Sequence, residues 1–216
     1  MAYFNIADAT FSQSIDTQDS SPRGMAWNND GSKMYELGRG SNKIYEYDVT
    51  TPYDISTATF SQSINTQDSV PTGITWNGDG SKLYETGPSS DKIYEYDVST
   101  AYDISTATFS KSIDTQNESP SGIIWNNDGS KLYEVGFTGD KIYESDVSTP
   151  YDISTATFSQ SINTQDPAPT GITWNNDGSK LYEVGYSGEK IYEYDITPAQ
   201  PPTVTASPIA HILQMI

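Results

Sequence analysis

Residues 122–140 read "GIIWNNDGSKLYEVGFTGD". Two apolar and aromatic runs flank Asn, Asp, Gly and Ser, which are the residue types that close a β-hairpin. A third run, "KIYESDV" (141–147), follows the turn sequence Thr-Gly-Asp, and a fourth, "TATFSKSI" (106–113), has Phe109 and Ile113 spaced for one face of a strand. The pattern predicts short strands joined by tight turns, without the 3.6-residue period of a helix.

This unit recurs along the chain with a fixed period of 49 residues. The recurring positions include Trp27, Trp76, Trp125 and Trp174, and also Phe11, Phe60, Phe109 and Phe158. Each repeat supplies four strands, which we name a (from Gly24 in the first repeat), b (from Lys33), c (from Lys43) and d (from Ala58). Repeats of this length with four strands are typical of β-propeller blades. The sequence therefore predicts an all-β propeller of four 49-residue blades over residues 1–197.

The ends of the repeat region are incomplete in complementary ways. The stretch "ATFSQSI" at 9–15 is identical to the d strand at 58–64, but no a, b or c strand precedes it. The last a, b and c strands, at 171–195, have no d strand after them. We expect the N-terminal strand to complete the last blade and close a ring within one chain, which would remove exposed sheet edges. The alternative is that two chains close a ring of eight blades.

The stretch "PTGITWNGDGSKLYETGPSSDKIYEYDVST" (71–100) resembles the repeats of lactonase-like, or YVTN-like, β-propellers. The variant with "YDISTATFSQSINTQD" between blades resembles repeats in predicted virion proteins of tailed viruses and in surface proteins of marine bacteria. The resemblance covers about 195 of the 216 residues. It implies the blade architecture rather than an activity, because the matching glycines, tryptophans and Asp-Gly pairs are positions that form the fold.

Composition limits the possible functions. The chain has 29 acidic and 11 basic residues and a net charge of −18, which disfavours binding to nucleic acid or to an anionic membrane. It has no cysteine, and its single histidine, His211, lies beyond the repeats. Without a nucleophile paired to a base, we expect a non-enzymatic protein without a cofactor. The acidic surface suits a high-salt habitat, and from the N-terminal residues we expect a virion or extracellular surface protein without a secretory signal.

Two series of repeated carboxylates are candidates for chemistry. The first follows the strand b tyrosine and the second lies in strand c; they are Glu36, Glu85, Glu134 and Glu183, and Glu46, Glu95, Glu144 and Glu193. A ring of carboxylates suits a hard cation such as calcium, so the first series is a weak candidate for a metal site. The favoured prediction is that both series lie at strand edges and pair with the repeated lysines. The loop "WNNDGS" is expected to be a hairpin turn rather than a calcium loop.

The b–c loops differ among the repeats, so they are candidates for ligand binding. They read "RGSN", "PSSD", "FTGD" and "YSGE" and place Arg39, Pro88, Phe137 and Tyr186 at equivalent positions. Together with Tyr47, Tyr96 and Tyr194, these side chains are predicted to form an aromatic surface at one propeller face, suited to sugar or protein contact. The alternative is that the loop tips vary freely.

Residues 198–216 lie outside the repeat and are predicted to be an attachment arm. Four prolines favour an extended spacer, and the apolar residues after it have the spacing of one helical face: Ile209, Ile212, Leu213 and Ile216. The arm is expected to dock on another copy or on another particle protein. The predicted function is a structural or adhesive virion component, such as a fibre, turret or decoration protein. The alternative is a carbohydrate-binding lectin, with a host-surface glycan as partner.

Overall fold

The computed structural model describes residues 10–196, and it confirms the all-β propeller of four blades. Each blade is an antiparallel sheet in which sequential strands are neighbours. Blade 1 comprises β1 (Pro22–Trp27), β2 (Lys33–Gly38), β3 (Lys43–Val49) and β4 (Ala58–Asn65). Blade 2 comprises β5 (Gly73–Trp76), β6 (Lys82–Gly87), β7 (Lys92–Val98) and β8 (Ala107–Asp114). In blade 1, strands b, c and d begin at the predicted residues, whereas strand a begins at Pro22, two residues before the predicted Gly24.

Blade 3 follows the same plan, whereas blade 4 has three strands. Blade 3 comprises β9 (Pro120–Trp125), β10 (Lys131–Gly136), β11 (Lys141–Val147) and β12 (Ala156–Asn163). Blade 4 comprises β13 (Pro169–Trp174), β14 (Lys180–Gly185) and β15 (Lys190–Asp195). One-turn 3₁₀ helices precede the fourth strands, at Ile55–Thr57, Ile104–Thr106 and Ile153–Thr155. No helix in the described part of the chain is long and apolar enough to cross a membrane.

The tryptophan of each following blade packs on the strand b tyrosine of the blade before it. The ring centroids of Tyr35 and Trp76 are 4.9 Å apart, and those of Tyr84 and Trp125 are 5.1 Å apart. The Tyr35 hydroxyl also donates a hydrogen bond of 2.5 Å to the carbonyl of Tyr102 in blade 2. These contacts explain why Trp and Tyr recur in register, since each pair joins two blades.

Glycine in strand a lets the inner strands of adjacent blades approach closely. A Cβ atom built on Gly73 would lie 3.1 Å from the Cα of Gly122, and one built on Gly122 would lie 3.1 Å from the Cα of Gly171. A larger residue at these positions would push the blades apart. The inner strands of all four blades line a common central cavity of about 820 Å³.

The expected closure of the ring by the N-terminal strand is wrong for the described residues of this single chain. Residues 10–16 form no strand, and β15 is the unpaired edge of the fourth sheet. The segment is held on blade 1, where Gln13 Nε2 donates to Asp54 Oδ1 at 2.7 Å and Ile15 packs beside Met34. A Cβ built on Gly171 would meet nothing within 4 Å, so the inner strand of blade 4 does not pack on blade 1. The predicted arm, 198–216, lies outside the described residues.

Candidate ligand-binding site

The buried glutamate of strand b begins a chain of hydrogen bonds that fixes the b–c loop. In blade 1 the two Glu36 carboxylate oxygens accept hydrogen bonds from the backbone N–H groups of Gln18 and Asp19, at 3.0 and 2.9 Å. The Tyr47 hydroxyl donates to the same carboxylate at 2.5 Å. These donors belong to the connection that leads into strand a, so the glutamate ties that connection to the sheet.

The aspartate of that connection then holds the loop itself. Asp19 accepts hydrogen bonds from the backbone N–H groups of Gly40 and Ser41, at 2.9 and 2.8 Å, and from the Ser41 hydroxyl at 2.5 Å. Desolvation acts to raise the pKa of Asp19, but the hydrogen bonds from Ser41, Ser21 and Gly40 outweigh it and lower the pKa. The Asp68 carboxylate in blade 2 and the Asp166 carboxylate in blade 4 make corresponding contacts. In blade 3 the Asn117 amide takes this place and donates to the carbonyl of Thr138. Each b–c loop is therefore tied by hydrogen bonds to the connection that leads into strand a.

The b–c loops place the side chains that differ among the repeats around one cavity. Arg39, Pro88, Phe137 and Tyr186 all line one cavity of about 620 Å³, which also includes Arg23 from strand a. Tyr186 is 75% exposed and Phe137 is 39% exposed, so their rings are accessible at this surface. We call this cavity and its rim the loop face.

The residues that line this cavity carry a charge opposite to that of the whole protein. Arg23 and Arg39 are the two arginines of the sequence, and both line this cavity. The other lining residues are proline, valine, serine, threonine, phenylalanine and tyrosine, and none carries a carboxylate. A chain with a net charge of −18 thus has a positively charged recess on this face.

The prediction that Tyr47, Tyr96 and Tyr194 belong to this aromatic surface is wrong. Tyr47 and Tyr96 are buried, with 3% and 2% exposure, and Tyr194 is half-buried. The hydroxyls of Tyr47 and Tyr194 donate to Glu36 and Glu183, and the rings of Tyr47 and Tyr96 pack under the outer strands, against Phe60 and Phe109. Strand alternation places these side chains within the blade rather than at its end.

The two glutamate series have different structural roles. The strand c series pairs with lysine as predicted: Lys33 lies 2.5 Å from Glu46, and Lys82 lies 2.5 Å from Glu95. The strand b series does not lie at strand edges and does not pair with lysine, which corrects the prediction. Its members, Glu36, Glu85, Glu134 and Glu183, are buried and accept backbone N–H groups. Within residues 10–196, no three His, Cys, Asp or Glu side chains converge as a metal site would require.

Burial raises the pKa of Glu85 and of Glu134 to about 7, against an ordinary value of 4.5, although hydrogen bonds from backbone N–H groups act in the opposite direction. The sequence did not reveal this series as a structural element, because a glutamate in a strand usually indicates a solvated face. The signal that was available is the strict pairing of each glutamate with a "TQD" or "TQN" stretch 17–19 residues earlier.

Known proteins resemble this chain in fold alone. No family model matches it, and no curated protein is similar to it in sequence. Among solved structures, a putative 6-phosphogluconolactonase from Bacteroides uniformis superposes with a TM-score of 0.60 at 16% identity, over 89% of this chain and 57% of that one. The periplasmic gluconolactonase of Pseudomonas aeruginosa gives 0.59 at 14% identity, over 82% and 50%.

The propeller geometry also matches proteins of quite different names. A chain of the mitotic checkpoint complex superposes with a TM-score of 0.59 at 15% identity, over 81% of this chain and 49% of that one. At such identities the similarity shows the β-propeller fold and no activity. The chain spans about half the length of the structures that it matches.

Proposed function

We propose that this protein is a non-enzymatic binding module that recognises an anionic ligand, of the class of acidic glycans, at the loop face. The observation that carries the proposal is the position of Arg23 and Arg39. Both arginines of an acidic chain line one 620 Å³ cavity that contains no carboxylate. Such a recess attracts anions, whereas the rest of the surface repels them.

The chemistry of the lining fits a charged sugar. An arginine guanidinium can bind a carboxylate, sulfate or phosphate group with two parallel hydrogen bonds. The exposed rings of Phe137 and Tyr186 offer flat apolar surfaces to the C–H face of a sugar ring. Because hydrogen bonds to Asp19 and its equivalents fix the loops, binding costs little conformational entropy.

The biological setting that we propose is attachment. A virion component such as a fibre, turret or decoration protein, or an extracellular surface protein, would use the loop face to hold a host-surface glycan. This setting is supported by the resemblance of the inter-blade repeats to those of virion and surface proteins. A free lectin with the same face is the alternative, and incorporation of the tagged protein into purified particles distinguishes the two.

The experiment is a glycan array that contains matched neutral, uronic, sialylated and sulfated saccharides, followed by titration calorimetry on the best ligand. We expect binding to acidic glycans only, with affinity that falls as salt rises. Arg39→Ala should weaken binding by about 10-fold or more, as expected for loss of a charge-assisted hydrogen bond. Lys141→Ala, which removes a positive charge that does not line the cavity, is the matched control.

Three results would overturn the proposal. The first is preference for neutral glycans, and the second is binding that neither Arg39→Ala nor Arg23→Ala changes. The third is hydrolysis of 6-phosphogluconolactone or of gluconolactone, the substrates indicated by the names of two structural neighbours. Such turnover would make the protein an enzyme.

A further inference from the structure

The two ends of the four-blade array have unlike exposed apolar surfaces. On blade 4, Val184 and Ile191 are 44% and 61% exposed, although their equivalents in blade 3, Val135 and Ile142, are 0% and 3% exposed. On blade 1, Met25 is 63% exposed, in contrast to the buried isoleucines at its equivalent positions in blades 2 and 3. Each end therefore exposes the side chains that inner blades bury against a neighbour.

The junction between blades 2 and 3 shows how these surfaces fit. There Ile93 of blade 2 is buried in one cluster with Leu132 of blade 3, and Ile113 packs against it. Two repeats further along the chain, the residue equivalent to Ile93 is Ile191 of blade 4. The same repeat makes Ile15 and Met34 the equivalents of Ile113 and Leu132, so Ile191 would pack against Ile15 and Met34 of a blade 1 that followed blade 4. Blade 1 has an open groove of about 320 Å³ at this place, and Ile15, Met25 and Met34 line it. The exposed side chains of one end thus match a groove at the other.

The unpaired edge of β15 has a matching strand in residues 10–16. In blade 2, Lys92 lies opposite Asp114, and their side chains form an ion pair of 2.5 Å. The same register places Lys190 of β15 opposite Asp16. It also places Ile191 opposite Ile15.

In the same register Phe11 would cover Tyr194, as Phe109 covers Tyr96. Phe11 is 86% exposed in this chain, whereas Phe109 is 49% exposed. The N-terminal segment therefore carries the residues that a fourth strand of blade 4 needs.

The placement of the segment decides which copy of blade 4 it completes. Gln13 donates to Asp54 of its own blade 1, as Gln62 donates to Asp103 across the next junction. The segment therefore already lies where the outer strand of a preceding blade lies. The inner strand of the chain's own blade 4 does not reach blade 1, because a Cβ on Gly171 would meet nothing within 4 Å. The four blades also superpose on about half of the longer structures.

We infer that two copies of this chain associate about a two-fold axis into a closed ring of eight blades. In each of two identical seams, residues 10–16 of one copy form the fourth strand of blade 4 of the other. Ile191 then enters the groove beside Ile15 and Met34 of that partner. The Glu193 side chain, which is 49% exposed in one copy, then accepts a hydrogen bond from the backbone N–H of Ile55 in the other copy. Glu46 accepts the equivalent hydrogen bond from Ile104 across an inner junction.

The test is the molar mass in solution, measured by light scattering over a range of concentrations. We expect twice the 23.7 kDa mass of the chain. Ile191→Asp should raise the dimer dissociation constant by about 100-fold or more, because an apolar side chain is lost from both seams. This residue is exposed in a single copy, so circular dichroism should show a folded monomer.

A charge exchange tests the register. Lys190→Glu and Asp16→Lys should each weaken the dimer, because each places two like charges opposite one another, and the double variant should recover it. Lys141→Glu, at the equivalent position in blade 3, is the control and should leave the mass unchanged. A monomer at all concentrations would overturn the inference, as would a dimer that is insensitive to Ile191→Asp. A dimer weakened equally by the double variant would overturn the register.

Discussion

The third blade departs from the others at one buried position, and this departure allows a quantitative prediction. Ser145 in β11 stands where blades 1, 2 and 4 have tyrosine. The tyrosine Tyr96 in blade 2 is 2% exposed and packs on Phe109, with ring centroids 6.5 Å apart. In blade 3 the missing ring leaves a cavity of about 100 Å³, lined by Ser145, Glu134 and Phe158 among others. We expect Ser145→Tyr to fill this cavity and to stabilise the protein.

The size of the effect follows from the cavity. At about 24 cal/mol per Å³, a cavity of this volume costs roughly 2 kcal/mol. The new hydroxyl can donate to Glu134, as Tyr47 donates to Glu36, which adds about 1 kcal/mol, whereas fixing the ring costs a similar amount. Ser145→Tyr should therefore raise the free energy of unfolding by about 2 kcal/mol.

Urea denaturation, monitored by tryptophan fluorescence, measures this change. Tyr96→Ser is the matched control, because it should create the same cavity in blade 2 and lower the free energy of unfolding by about 2–4 kcal/mol. The reasoning is refuted if Ser145→Tyr leaves the stability unchanged or lowers it while Tyr96→Ser is destabilising. That result would mean that blade 3 has adapted its packing to serine.

Two further predictions concern pH and salt. Because burial raises the pKa of Glu85 and Glu134 to about 7, from 4.5 in the unfolded chain, the folded state binds more protons between these values. The free energy of unfolding should thus fall by up to about 3 kcal/mol per carboxyl as pH rises from 4.5 to 7, and Glu85→Gln should flatten this dependence. Denaturation curves at several pH values measure it, and a free energy of unfolding that rises over this range would contradict the prediction. The net charge of −18 predicts a melting temperature that rises from low to molar salt, because salt screens the repulsion between carboxylates and the Debye length falls to about 3 Å. A melting temperature that stays constant would contradict the prediction of a high-salt habitat.

The repeat predicted the strands well because each is defined by several independent signals. In blade 1, the alternation around Tyr45, the Asp30-Gly31 turn and the recurrence of Trp27 all indicate the same strand limits. The convergence of Phe137 and Tyr186 was also predictable, since equivalent loops of adjacent blades lie on one side of a propeller. These features depend on local pattern and on repeat position alone.

Burial within a blade and curvature between blades were not predictable in the same way. The sequence does not show that Glu36 meets unsatisfied backbone N–H groups of a distant connection, or that an outer strand covers Tyr47. Identical repeats also permit rings of different size, because the angle between blades depends on how closely the inner strands pack at Gly73 and its equivalents. The complementary ends therefore predicted a seam, but the expectation that it closes within one chain was wrong, because β15 is left as the edge of the fourth sheet.

The central claim, that one chain is half of a closed ring, is tested most directly by a designed disulfide. The sequence has no cysteine, and in the inferred seam position 16 of one copy lies opposite position 190 of the other. Opposite Cα atoms in antiparallel strands are about 4.5–5.5 Å apart, which suits a disulfide. After mild oxidation of the double variant Asp16→Cys, Lys190→Cys, non-reducing electrophoresis should show a covalent dimer. A monomer with its two cysteines joined to each other, or with both thiols still free, would contradict the account.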